Sequence, residues 1–161
     1  MPEFSLSLFV FIAICFAAAM TGAYFKPGKW YAALDKPSWV PPNWAFPVVW
    51  TLLYGMIAAA GWIVWTQPGT GIASLPILLW GVQIVLNAAW SPVFFGLKRM
   101  DLGMVVVSGM WISIAACIAA FWPLSPVAAA LMAPDLVWVT IAAALNGSVW
   151  KRNPNARELA A

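Results

Sequence analysis

Three sets of side chains recur at helical spacing inside long apolar runs, and they are the groups of this chain best suited to recognise a ligand. Gln83, Asn87 and Ser91 fall every four residues, with Trp80 and Trp90 beside them. Trp50, Tyr54, Ile57 and Gly61 make a second stripe, and Asp135, Trp138, Ala142 and Asn146 a third, each on one helical face. Polar groups inside a membrane are costly, so such stripes point to function or to interhelical glue. The functional reading is a polar-aromatic cavity in which rings stack on a flat ligand and a few hydrogen bonds orient it. The other reading is that the amides only knit the helices together. Spacing alone leaves both open.

Acid–base and metal chemistry are poorly served. The sequence contains no His, which removes the commonest general base, the common zinc ligand and the usual haem ligand. No metal site and no obligatory cofactor are expected. Cys15 and Cys117 sit in apolar runs and read as buried packing thiols. Asp135 stands alone. It follows Pro134 about eight residues into the last apolar run, roughly 12 Å deep at 1.5 Å per residue. At that depth an ionised carboxylate needs a partner or water. The simpler expectation is that Pro134 marks the first ordered turn of its helix, where the dipole favours an acid.

The elements that carry these stripes are membrane spans. Of the 161 residues, 64% are hydrophobic and 8% charged, against about 25% charged in an ordinary soluble domain. A soluble fold of this size cannot hide that much apolar surface. The net charge of +3, eight Lys and Arg against five Asp and Glu, is too small for a phosphate-tracking patch, so nucleic acid is not an expected partner. A spanning helix needs about 20 apolar residues, and five segments qualify: roughly 6–25, 45–65, 75–97, 102–122 and 127–150. The expected fold is all-α, a single five-helix integral membrane bundle over residues 1–161, with the loop 26–44 as a lid.

Charge supports that count. With five spans, the first loop, the third loop and the C-terminal tail share one face. All eight bases lie there: Lys26, Lys29, Lys36, Lys98, Arg99, Lys151, Arg152 and Arg157. The positive-inside rule then places the C-terminus in the cytoplasm and the N-terminus outside. Ala18 with Gly22, and Gly109 with Ser113, have the small-xxx-small spacing of close helix contacts, for which internal packing is the safer assignment.

Twelve Trp in one short chain exceed what an interfacial belt requires, although Trp65, Trp122 and Trp150 at span ends fit one. The first loop continues into the second span as Lys36-Pro37-Ser38-Trp39-Val40-Pro41-Pro42-Asn43-Trp44-Ala45-Phe46-Pro47-Val48-Val49-Trp50. Four prolines stiffen this segment, and three Trp project from it. A rigid aromatic lid over a cavity suits a flat hydrophobic ligand.

The run from Lys36 to Tyr54 resembles the signature of the tryptophan-rich sensory protein family (TspO), also called the translocator protein or peripheral benzodiazepine receptor family. The resemblance continues at Trp30-Tyr31, through Asn87-Ala88-Ala89-Trp90-Ser91-Pro92-Val93-Phe94-Phe95-Gly96, and ends with Trp138 and Leu145-Asn146-Gly147-Ser148-Val149-Trp150. It implies a five-helix membrane protein, commonly a homodimer, that binds porphyrins and in some members sterols or benzodiazepine-type ligands. It places Tyr31, Trp50 and Trp138 at porphyrin-contacting or reactive positions, Ala142 where side-chain size affects binding, and Asn87 and Asn146 at buried amides. With the lid and stripes, the candidate ligand contacts are Tyr31, Trp39, Trp44, Phe46, Trp50, Tyr54, Asn87, Trp90, Asp135, Trp138, Ala142, Leu145 and Asn146.

Two departures stand out. The family's proposed sterol motif needs a Tyr where this chain has Gly147 and Ser148, which lowers the expectation of sterol binding. Asp135 occupies a position where many relatives carry an aromatic. The expected function is a porphyrin-binding receptor, sensor or transporter without chemistry of its own. The alternatives are light-dependent porphyrin degradation, with Trp50, Trp138 or Tyr31 as photoredox groups, and a sterol- or lipid-binding protein. A bacterial cytoplasmic membrane is the expected location.

Overall fold

A computed structural model describes residues 2–156; Arg157, the last of the eight bases, lies outside the described residues. The five spans are all present. Helix α1 runs Pro2–Tyr24, α3 Ala45–Trp65, α4 Leu75–Ser91, α5 Met100–Phe121 and α6 Pro126–Arg152, and a short α2 at Lys29–Ala33 lies in the first loop. All five long helices are apolar enough to cross a membrane, α4 together with the π-helical turn Pro92–Gly96 that extends it.

Start and stop signals explain the boundaries. Ser125 caps α6 by accepting the Ala128 N–H at 3.3 Å, and Pro126 takes the first helical position, where its missing N–H costs nothing. This overturns the expectation that Pro134 opens the helix: Pro134 lies in the interior of α6. The Ser-Pro pair wins because it supplies both a cap and a preset φ. After α3, Gly69 turns the chain at φ +80, and the Thr70 hydroxyl sits 2.7–3.1 Å from the carbonyls of Val64, Trp65 and Gln67. The carbonyls of Val64 and Gln67 also accept backbone N–H groups, at 3.0 and 3.3 Å, so the hydroxyl adds a donor where a helix end is short of them.

The helices close into a ring, with neighbours in the order α1, α3, α6, α5, α4 and back to α1. Ile57, Val64, Val107, Ile114, Phe121, Met132 and Val139 fill the half of the ring remote from the first loop. Phe9, Phe16, Leu52, Val85, Ile112 and Val137 face outward, where lipid is the natural neighbour. Small residues permit the close approaches. The buried Trp80 indole donates to the Ile57 carbonyl at 3.0 Å across Gly61, and Gly103 lies against Asn146 and Phe94. The small pairs pack internally as well: Gly109 abuts Leu86, and Gly22 abuts Ser91.

Candidate functional site

Toward the first loop the ring opens into a cavity of about 560 Å³. Its α4 wall depends on a local break. Pro92 has no N–H, so the helix widens into a π turn in which the Leu97 N–H reaches the Pro92 carbonyl at 2.8 Å. The consecutive residues Phe94 and Phe95 both line the cavity as a result. Trp90 stacks on Phe94 at 4.9 Å and 20°, and Tyr31 meets Phe95 edge-on at 5.4 Å. On the facing helices Trp50 lies 5.5 Å from Tyr54, and Phe46 meets Trp138 edge-on at 5.8 Å. Eight aromatic side chains line the chamber: Tyr31, Phe46, Trp50, Tyr54, Trp90, Phe94, Phe95 and Trp138.

Polar groups are few and specific. Asn87 lines the cavity while its Nδ2 donates to Gln83 at 3.0 Å, and Asn146 lines it while its Nδ2 donates to the Met100 carbonyl at 2.9 Å. The same side chains line the chamber and hold neighbouring groups of the bundle together. The Trp90 indole N–H is buried with no acceptor among the described residues. Burial pushes the Tyr31 phenol above its ordinary pKa, so it stays protonated and able to donate at neutral pH.

The first loop closes the chamber through Tyr31, Pro41 and Asn43. It is fastened to the end of the chain. The Trp30 indole donates to the Ala156 carbonyl at 3.1 Å, the Asp35 N–H donates to Asn153 Oδ1 at 2.9 Å, and Asn153 Nδ2 returns a bond to the Asp35 carbonyl at 2.8 Å. Arg152 adds an ion pair to Asp35 at 3.4 Å. Within the loop, Lys36 Nζ bonds to the carbonyls of Tyr31 and Leu34 at 2.8 Å and lies 5.0 Å from the Tyr31 ring centre. Asn153→Ala removes the reciprocal pair, about 2 kcal/mol at about 1 kcal/mol per bond, and is expected to speed release of a bound ligand by up to about thirtyfold, measured by stopped-flow dissociation.

Ten of the thirteen candidate contacts converge on the cavity: Tyr31, Phe46, Trp50, Tyr54, Asn87, Trp90, Trp138, Ala142, Leu145 and Asn146. Three do not. Trp44 is 69% exposed and lies one and two turns before Val48 and Leu52, which are exposed as well, so it belongs to the outer stripe of α3. Trp39, on a turn of the loop, is half exposed and also faces outward. The lid therefore presents Pro41 and Asn43 to the chamber in place of those two rings. Lys26, Thr51, Phe94, Phe95 and Ile141 line it without having been singled out by spacing.

Asp135 is the third exception. It is fully buried one turn beyond Trp138, about 13 Å from the start of α6. Neither carboxyl oxygen has a hydrogen-bond partner among the described residues. Tyr54, Cys15 and Cys117 lie within electrostatic reach of it, and among these Tyr54 also lines the cavity. A buried polar group without partners costs about 1–3 kcal/mol. Asp135→Val, of similar volume, is expected to raise the thermal stability of the detergent-solubilised protein by about 1–2 kcal/mol, read as an increased Tm. A lower Tm means that the carboxyl has a stabilising role.

Comparison with known proteins agrees with this architecture. The family model described as the TspO/MBR family matches residues 11–151. Protein CrtK of Rhodobacter capsulatus is 43% identical over 157 residues, covering 96% of this chain and 98% of that protein. The tryptophan-rich sensory protein of Cereibacter sphaeroides is 42% identical, covering 92% of each chain. The human translocator protein is 40% identical over 130 residues, 78% of this chain and 75% of that protein. A five-span helical ring, a match over nearly all of its length and relatives of this similarity establish that the chain is an integral membrane protein of the TspO/MBR family.

Proposed function

We propose that this protein is a membrane receptor or carrier for a protoporphyrin-type tetrapyrrole, held in the chamber beneath the first loop. The observation that carries this reading is the chamber itself. Its volume falls within the roughly 300–1,000 Å³ of small-molecule sites, and its walls are aromatic on several sides with few polar groups. Stacking and area burial then supply the affinity, and Asn87, Asn146 and the Trp90 N–H supply orientation. No cofactor is needed for that task. The bases Lys26, Lys29, Lys36, Lys98, Arg99, Lys151 and Arg152 flank one end of the spans, which supports a cytoplasmic C-terminus in a bacterial inner membrane. The proposed assembly is a homodimer, as the family resemblance implies.

The test is a protoporphyrin titration of the protein in nanodiscs, in the dark and then in light, following Trp quenching and porphyrin absorbance. Saturable dark binding is expected, and Trp138→Phe or Trp50→Phe should each weaken it about threefold to tenfold, the worth of an aromatic contact. Unchanged affinity in both variants removes the site. Trp50, Trp138 and Tyr31 all line the chamber, so the light arm also tests photochemical degradation. Porphyrin loss that depends on the protein and falls in these variants would make the protein an enzyme.

A further inference from the structure

The chamber is apolar almost throughout, and among the described residues Lys26 is its one charged lining side chain. Lys26 follows the last turn of α1, where the Phe25 N–H still bonds to the Thr21 carbonyl at 2.8 Å. It is exposed and lines the cavity together with Pro27 and Asn43, which places it at the mouth.

Several other bases at this end of the bundle are engaged. Lys36 Nζ is held by backbone carbonyls, Arg99 pairs with Asp101 at 2.6 Å, and Arg152 pairs with Asp35 at 3.4 Å. Lys26 has no hydrogen bond or ion pair to a described residue. No acid among the described residues lines the chamber; the nearest candidate by sequence, Asp135, is sealed beyond its wall. A cation left unneutralised beside an apolar chamber attracts anions, and the low-dielectric walls strengthen its field. The mouth therefore offers positive charge and no negative charge.

We propose that the mouth around Lys26 is a carboxylate subsite, so that the ligand is an apolar ring system with an anionic edge, seated ring-first with that edge on Lys26 Nζ. This rests on the tetrapyrrole reading and assigns a partner to the carboxylate edge of that ligand. The carboxylate stays near water, which avoids the cost of burying it, while the macrocycle takes the aromatic walls. Lys26 thus fixes which way round the ring enters.

The test compares protoporphyrin IX, which carries two carboxylates, with its dimethyl ester, which carries none. Both are titrated in the dark against the wild type, Lys26→Gln, Lys26→Glu and the neighbouring control Lys29→Gln, in nanodiscs of neutral lipid. Lys26→Gln should weaken the diacid about fivefold at low salt, the upper end for a partly solvated ion pair, and Lys26→Glu by about tenfold or more. The ester should bind all four proteins alike, and Lys29→Gln should match the wild type for both ligands. An equal loss for diacid and ester overturns the subsite, because the lysine then acts through packing. No loss for either also overturns it. If neither ligand binds the wild type saturably, the tetrapyrrole reading itself falls; ester binding without a Lys26 effect leaves that reading standing and removes only the subsite.

Discussion

Ala142→Phe is expected to lower porphyrin affinity at least about a hundredfold, a loss of about 2.7 kcal/mol, without unfolding the protein. Ala142 lines the chamber on α6, one turn past Trp138 and one turn before Asn146. A phenyl ring there projects into about 560 Å³ of space that a macrocycle must fill. The side chain enters an existing void, so the packed half of the bundle is not forced apart. Ala143→Phe is the matched control. Ala143 belongs to a separate open groove with Met104, Gly147 and Ser148, and the same ring there leaves the chamber untouched. The check is a pair of binding isotherms and a pair of thermal melts. Wild-type affinity in Ala142→Phe would place the ligand outside the chamber.

The second large effect concerns stability. Gly61→Ala is expected to cost about 2–4 kcal/mol, combining overpacking with a lost buried hydrogen bond. A Cβ at position 61 would lie 2.5 Å from Trp80 Nε1, 2.7 Å from its Cε2 and 2.9 Å from Phe11 Cδ1. Neither ring has room to retreat, since Trp80 and Phe11 are both buried and meet edge to face at 4.8 Å. Moving Trp80 also breaks its bond to the Ile57 carbonyl. Gly55 on the same helix has nothing within 4 Å of its would-be Cβ. Gly55→Ala should therefore be neutral or gain a few tenths of a kcal/mol from helix propensity. Thermal unfolding of the two variants in the same detergent decides the matter, and equal Tm values would refute the close packing at Gly61.

Hydropathy and helical spacing were enough to place the five spans within about two residues of most boundaries and to find the inner faces of α3, α4 and α6. They work because a polar residue in a span almost always turns away from lipid, so Asn87 and Asn146 identify their own orientation. Aromatic residues carry no such label. Trp44 and Trp50 look alike in a Trp-rich segment, yet one faces outward and the other into the chamber. The π turn escaped because its effect, placing both Phe94 and Phe95 on the cavity, contradicts the regular spacing used to find faces. Asp135 is hard to place from sequence because Pro134 resembles a start signal, although Ser125-Pro126 provides a better one eight residues earlier. In sequence Lys26 carries no signal beyond its charge, because only the folded ring shows that a loop base borders the chamber.

The fastening of the first loop to the end of the chain has a consequence for biogenesis. Residues 30 and 35 find their partners at 156 and 153, well over a hundred positions later. Helices α1, α3, α4 and α5 can be threaded into the bilayer while the ribosome is still at work, yet the first loop lacks these fastenings until Asn153 and Ala156 emerge. A chain interrupted just before Asn153 would carry every span and still be unable to shut its site. Fastening of the first loop therefore waits for the segment that follows the last span.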